Sequence, residues 1–121
     1  MTEHQRWRIR LAAAAKADLR SILRWTAQHF GEIQARIYAD TLGAAIDDLA
    51  EGPRVTGARE RSDIAKGVMT LHVARGGRKG RHFVLYRVNT QGPTQVIDVL
   101  RLLHDSMDLS RHIERDDDEN H

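Results

Sequence analysis

The sequence predicts an α+β fold, a small antiparallel β-sheet covered by an N-terminal two-helix hairpin. Two apolar runs near the C-terminus, His82 to Val88 and Val96 to Leu103, have the length of strands and are apolar on both faces. A long segment with helical spacing of apolar residues precedes them. We expect one N-terminal strand and three C-terminal strands in the sheet, followed by a short C-terminal helix.

Composition narrows the class of protein. At 121 residues the chain has room for one domain with a modest core. Its longest apolar stretches reach roughly half of the ~20 residues that span a bilayer, so no membrane partner is expected. The chain has no cysteine, which excludes a disulfide framework, and its first residues lack the apolar core of a signal peptide. These features predict a cytoplasmic protein.

The N-terminal half reads as one strand and two helices. Arg6 to Leu11 alternates basic and apolar residues, which predicts a strand with one wet face. Ala12 to Phe30 carries an apolar stripe at helical spacing, and Gly31 can provide the left-handed cap that ends this helix. A second stripe runs from Glu32 to Ala50, before Gly52-Pro53. The short link between the helices predicts an antiparallel hairpin.

The C-terminal half reads as a connecting loop and a three-stranded meander. Arg54 to Lys66 shows neither helical nor strand periodicity, and we interpret it as a loop. Strands are predicted from Val68 to Ala74, from Phe83 to Asn89 and from Val96 to Leu103. Gln91-Gly92-Pro93 would turn the chain between the last two, and the polar segment after them would form the short final helix.

The charge is distributed unevenly. Residues 114–121 hold five acids and one arginine, so residues 1–113 carry 18 basic against 12 acidic residues. We therefore divide the chain into a folded, basic domain of residues 1–113 and an acidic tail of residues 114–121, which is too polar to fold alone. Within the domain, five cations and no acid lie between residues 75 and 87; they are Arg75, Arg78, Lys79, Arg81 and Arg87. Such a turn suits phosphate or an acidic protein.

The sequence resembles the ParE toxins of the RelE/ParE superfamily of bacterial toxin-antitoxin systems. The resemblance runs through nearly the whole chain in order and spacing. It rests on Arg10-Leu11, Ala14 to Leu19, Phe30-Gly31, Leu49 to Pro53, His82 to Arg87, Arg101 to His104, Met107-Asp108 and Arg111-His112.

The resemblance implies a toxin that is neutralised by a cognate ParD-like antitoxin and that inhibits DNA gyrase. A gyrase poison acts by binding, so it implies no catalytic residues, no cofactor and no direct nucleic-acid binding in the absence of the target. The candidate target-binding residues lie on the basic turn and around the C-terminal motif. They are Arg75, Arg78, Lys79, Arg81, His104, Met107, Asp108, Arg111 and His112.

Candidate antitoxin-binding residues follow from the first strand and the helices. That strand alternates arginine with apolar residues, and the helices carry basic side chains and large apolar side chains outside their main stripes. The predicted set is Arg8, Arg10, Arg20, Arg24, Trp25, Ile33 and Ile37. Together they suggest a basic, partly apolar groove for a disordered acidic antitoxin segment.

Two other functions remain open. A ribosome-dependent mRNA endonuclease of the RelE type would need a general acid, a general base and cations, for which Lys79, His82, Tyr86 and His104 are candidates. Strand alternation places His82 and Tyr86 on a largely apolar face, which favours packing over catalysis. The second alternative is a degenerate, non-toxic binding module. A metal site at His104, Asp108 and His112 is not expected, because no fourth ligand lies nearby.

Overall fold

The computed structural model describes residues 6–89 and 95–107. These residues form two helices and five strands, with a short 3-10 turn at Leu49–Glu51 after the second helix. In chain order the elements are β1 (Arg8–Leu11), α1 (Ala13–Phe30), α2 (Glu32–Asp48), β2 (Arg59–Glu60), β3 (Val68–His72), β4 (His82–Asn89) and β5 (Val96–His104). The predicted α+β class is confirmed.

The sheet has the order β1-β5-β4-β3-β2 and is mixed, where the sequence predicted an antiparallel sheet. β1 lies parallel to β5, with Arg8 opposite Val96, while the other neighbours are antiparallel. The alternation in β1 reveals a half-exposed strand but carries no information about direction. The long connection that a parallel pair requires comprises the helical hairpin together with β2, β3 and β4, which all lie between β1 and β5 in the chain.

The segment from Arg54 to Lys66, which the sequence predicted to be a loop, contains a short strand and part of an apolar cluster. It contains β2, a two-residue strand that pairs Arg59 with Thr70 of β3 and is too short to show a period. Ile64 and Ala65 then pack against Leu85 and Leu103 on the face of the sheet away from the helices. The segment therefore covers the second apolar face.

The main core lies between the helices and the sheet. It includes Ala15 and Leu42 from the helices with Val84, Tyr86 and other strand residues, all almost fully buried. Burial of this kind contributes about 25 cal/mol per Å² of apolar surface and is the chief stabilising term.

The break between α1 and α2 falls at Gly31, as the sequence predicts. Gly31 has φ +92°, and its N–H donates to the carbonyl of Ala27 at 2.9 Å. Phe30, which fits the predicted apolar stripe of α1, is instead 63% exposed. It is the last residue of the helix, and its side chain is part of the surface.

Three predicted features lie outside the described residues: the Gln91-Gly92-Pro93 turn, the C-terminal helix beyond Met107 and the acidic tail of residues 114–121. The described chain leaves β5 in a turn, where the N–H of Met107 donates to the carbonyl of His104 at 3.1 Å. Neither helix in the described ranges has the length and apolarity to cross a bilayer.

Candidate functional site

A surface groove of about 890 Å³ lies between the helical hairpin and the turn that joins β3 to β4. One wall comes from α1 and α2, and the other comes from residues 77–82 with the end of β5. The lining residues are Ser21, Ile22, Trp25, Thr26, Phe30, Gln34, Ile37, Tyr38, Thr41, Gly77, Arg78, Lys79, Gly80, Arg81, His82 and His104.

The helical wall presents large apolar side chains to solvent. Trp25 is 53% exposed, Phe30 63% and Ile37 52%. The Trp25 ring stacks on His29 at a centroid distance of 4.1 Å and meets the Phe30 edge at 5.7 Å, so the aromatic side chains form one surface cluster. A contiguous exposed apolar patch of this kind marks a site of interaction.

The opposite wall is cationic. Arg78, Lys79 and Arg81 line the groove, together with His82 and His104, and no lining residue in the described ranges is Asp or Glu. Three cations within four residues produce a positive local potential. The groove therefore has an apolar side and, opposite it, a basic rim formed by Arg78, Lys79 and Arg81. This combination suits an amphipathic acidic ligand.

Tyr38 fixes the basic turn to α2. Its hydroxyl accepts a hydrogen bond from the Arg81 N–H at 3.1 Å and donates to Nδ1 of His82 at 2.6 Å. Gly80 permits this approach, because a Cβ there would lie 2.5 Å from a methyl of Val73 and 3.0 Å from the Tyr38 ring. The absence of a side chain at residue 80 thus sets how close the two walls come.

His82 is held in its neutral form. Burial, assisted by repulsion from neighbouring His104, lowers the pKa of His82 to about 4. The rings of His82 and His104 meet edge to face at 5.2 Å. With the Tyr38 O–H donated to Nδ1, the proton of the neutral ring is assigned to Nε2.

Asp105 anchors the basic side of the groove from outside its lining. Nε2 of His72 donates to its carboxylate at 2.9 Å, and Nε of Arg81 donates at 3.0 Å. The hydrogen bond from His72, followed by that from Arg81, lowers the pKa of Asp105. The Asp105 N–H also donates to the carbonyl of Arg81 at 2.8 Å, so the chain that follows β5 is tied to the basic rim.

The structure separates the four residues considered for RNA cleavage. Lys79, His82 and His104 line the groove, but Tyr86 is fully buried in the core. The Tyr86 hydroxyl donates to the carbonyl of Pro53 at 2.6 Å, and burial raises its pKa to about 12. Tyr86 is a structural residue in this fold.

The predicted target-binding residues are brought together only in part. Arg78, Lys79, Arg81 and His104 share the groove, whereas Arg75 points elsewhere. Arg75 donates to Asp48 at 2.8 Å and to the carbonyl of Thr56 at 2.7 Å. Met107 is 44% exposed just beyond β5. The predicted residues Asp108, Arg111 and His112 lie outside the described residues.

The predicted antitoxin-binding residues fall on two faces. Trp25 and Ile37 line the groove, whereas Arg20 and Arg24 are exposed on α1 and are not among the lining residues. Ile33 is 78% exposed but is not among the lining residues.

Arg8 and Arg10 lie on the other side of the sheet. Their neighbours in β1, Ile9 and Leu11, pack toward the helices, so alternation turns the two arginines away. Arg10 is paired there with Asp98 at 2.9 Å.

Sequence reasoning missed Tyr38 and Phe30 as site residues. Both fit the apolar stripes of their helices, and that pattern predicts burial. The role of Tyr38 depends on contacts with Arg81 and His82, 43 and 44 residues away, which helical periodicity does not reveal. The sequence contains one feature related to this contact, which is Gly80 among the basic residues of the turn, because a residue without a side chain permits close approach of another element.

The fold and the groove define a small α+β protein that is built to bind another macromolecule. The profile of the family described as the ParE toxin of the type II toxin-antitoxin system parDE matches residues 9–109. The chain therefore belongs to the ParE toxin family.

Curated relatives agree with this assignment. The chain is 36% identical over 103 residues to the toxin ParE1 of Mycobacterium tuberculosis, covering 85% of this chain and 94% of that protein. It is 34% identical over 104 residues to the toxin ParE1 of Caulobacter vibrioides, covering 86% and 95%.

Solved structures share the fold at lower sequence identity. A chain of the chromosomal ParDE toxin-antitoxin system from P. aeruginosa superposes with a TM-score of 0.66 at 19% identity, covering 84% of this chain and 98% of that one. The YoeB/ParE toxin from Agrobacterium tumefaciens gives 0.54 at 14% identity, covering 80% and 97%. A chain of the RelBE2 toxin-antitoxin complex from Mycobacterium tuberculosis gives 0.51 at 20% identity, covering 82% and 98%.

Proposed function

We propose that this toxin inhibits DNA gyrase and is neutralised by a ParD-like antitoxin that occupies the groove between the helical hairpin and the basic turn. The observation that carries the antitoxin site is the pairing of exposed Trp25, Phe30 and Ile37 with the cations of the opposite wall. An amphipathic acidic segment would bury the apolar side chains and neutralise the rim. Both partners would be met in the cytoplasm, where we place the protein.

The predicted arginines contribute to this proposal unequally. Arg20 and Arg24 are exposed on α1 but do not line the groove, so they would act only by attracting an acidic segment toward the toxin at a distance. Arg8 and Arg10 would be reached only by an antitoxin that continues around the β1 edge of the sheet. Ile33 would contact an antitoxin that extends beyond the groove along α2.

The proposed target surface is the basic rim together with the chain beyond β5. Arg78, Lys79 and Arg81 would meet an acidic surface of gyrase or the backbone of its bound DNA. Met107 and the C-terminal motif Asp108, Arg111 and His112 complete the set. Because the rim serves both partners, an antitoxin in the groove would block the target by steric exclusion.

The protonation state of His82 and the burial of Tyr86 favour a binding function over catalysis. With a pKa of about 4, His82 is neutral at pH 7, and so it makes a poor general acid and a weak base. Tyr86, another of the four candidates, is buried in the core, which leaves only Lys79 and His104 of the set without such an obstacle. These observations favour the gyrase poison over the RelE-type endonuclease.

The test is to add the purified chain to gyrase and, separately, to translating ribosomes. The proposal predicts loss of supercoiling with accumulation of gyrase-linked DNA breaks, and intact mRNA. Ribosome-dependent mRNA cleavage with normal supercoiling would replace it with the endonuclease function. No effect in either assay would indicate a degenerate, non-toxic binding module.

A further inference from the structure

The basic rim has more cations than acidic partners among the described residues. Arg81 is paired with Asp105, but Arg78 and Lys79 are exposed and make no ion pair with any described residue. Since none of the lining residues is an acid and only Arg81 has a carboxylate partner, the potential at this wall stays positive. The expected ligand of the rim is therefore an anion.

The same chain supplies such an anion at short range. Residues 114–121 contain five acids, and the segment leading to them starts at the groove itself, because His104 lines it. Asp105 is bound to Arg81 through both its backbone and its side chain. From Asp105 to Glu114 the chain can extend by up to about 30 Å, so the acids can reach Arg78 and Lys79.

We propose that residues 114–121 bind the basic rim of the groove in the same molecule. A short tether gives the tail an effective concentration on the order of 1 mM at the rim. The tail of a second molecule, present at micromolar concentration, competes poorly with it. The intramolecular contact is therefore the favoured one.

This contact makes the tail a competitor of any acidic partner that uses the rim. Its effect on the antitoxin or on gyrase rests on the proposed function, whereas the contact itself does not. An acidic tail that screens the rim until a tighter ligand displaces it would also limit non-specific association with nucleic acid.

A spin label on the tail tests the contact in the full-length protein. The chain has no cysteine, so Asn120→Cys provides a unique attachment site and leaves every acid in place. We expect the label to broaden the amide signals of residues 77–81 at low salt, and to leave those of residues 64–67, at the opposite end of β3, unaffected. The broadening should disappear near 1 M salt, where the Debye length is about 3 Å.

Two charge variants and a mixing experiment serve as controls. E114Q/D116N/D117N/D118N/E119Q, which neutralises all five acids of the labelled tail, and R78E/K79E on the rim should each abolish the broadening. Unchanged rim signals at low salt, or broadening that survives the loss of the acids, would overturn the proposal. In the mixing experiment, molecules that carry the spin label are added to molecules without it, and the amide signals of the latter are observed. Equal broadening of those signals would also overturn the proposal, because it would indicate contact between copies. None of these outcomes depends on the antitoxin or on gyrase.

Discussion

Asp18 ties α1 to β5 through polar contacts. Its carboxylate accepts hydrogen bonds from Nε of Arg101 at 2.8 Å and from the backbone N–H of Leu102 at 2.9 Å. These contacts lie at an irregularity in the β4–β5 ladder, where Leu85 faces Arg101 but Tyr86 faces Val99. The carboxylate thus supplies an acceptor where the ladder is interrupted.

Asp18→Ala should destabilise the protein by about 2–3 kcal/mol, because it leaves a partly buried guanidinium and a backbone N–H without this acceptor. Urea unfolding measures the change. Asp40→Ala, on the exposed face of α2, is the matched control and should stay within about 0.5 kcal/mol. Equal destabilisation by the two variants would show that Asp18 has no special role.

His82 should make stability depend on pH. Its folded pKa of about 4 lies below the unfolded value of 6.5, so protonation favours the unfolded chain. The contribution is complete above pH 6.5 and is lost as the pH falls toward 4. Allowing for partial exposure, we expect a loss of about 1 kcal/mol between pH 7.5 and pH 5.

The check is urea unfolding of the wild type and of His82→Gln at both pH values. Glutamine keeps an acceptor for the Tyr38 hydroxyl but does not titrate in this window, so the wild type should lose stability that the variant keeps. The carboxylates of Asp98 and Asp105 have lowered pKa values and titrate below the window. Parallel pH profiles for the two proteins would contradict the account.

At the scale of elements, the basic turn owes its position to the contact between Gly80 and Tyr38. Gly80→Ala would place a Cβ 2.5 Å from the Val73 side chain and 3.0 Å from Tyr38, forcing the turn away from α2. We expect a destabilisation of about 1–3 kcal/mol. Broadened or shifted amide signals at Arg81 and His82 would report the displaced turn.

Gly43→Ala is the control within α2. A Cβ at Gly43 meets no atom within 4 Å, so alanine should stabilise the helix by up to about 1 kcal/mol. The two glycines therefore predict changes of opposite sign. If both variants destabilised the protein equally, the close approach of the turn would not be the reason for Gly80.

The elements were largely predictable because each carries its own periodicity. The helical stripes, Gly31 and the apolar C-terminal runs all specify local structure. Strand direction and the two-residue β2 were not predictable, since β1 is paired in parallel through a tertiary contact and Arg59–Glu60 is too short for any pattern.

The site was predictable in its parts but not in its assembly. The basic turn, Trp25 and Ile37 were each selected from sequence, yet nothing in the sequence indicated that they line one groove. Arg75 was grouped with the rim by charge alone, whereas its pairing with Asp48 depends on the packing of α2. Convergence of distant residues is a property of the tertiary fold.

At the scale of the whole molecule, charge and shape act together. The basic rim should accelerate association with an acidic antitoxin, with a rate that falls as salt rises. R78E/K79E should lower the association rate about tenfold at low salt. R59E/K66E makes the same change of net charge away from the groove and should have a smaller effect. Equal effects of the two pairs in stopped-flow or surface-binding kinetics would assign the steering to net charge alone.

The most direct measurement of the proposed antitoxin site is the affinity of a ParD-like antitoxin for toxins altered on the helical wall. Trp25 and Ile37 line the groove, while Ile33, at 78% exposure, does not. We predict that W25A and I37A each weaken binding by about 2 kcal/mol, or roughly thirtyfold, and that I33A changes it by less than about threefold. Unchanged affinity for W25A and I37A, with all three toxins folded, would contradict the assignment of the groove as the antitoxin site.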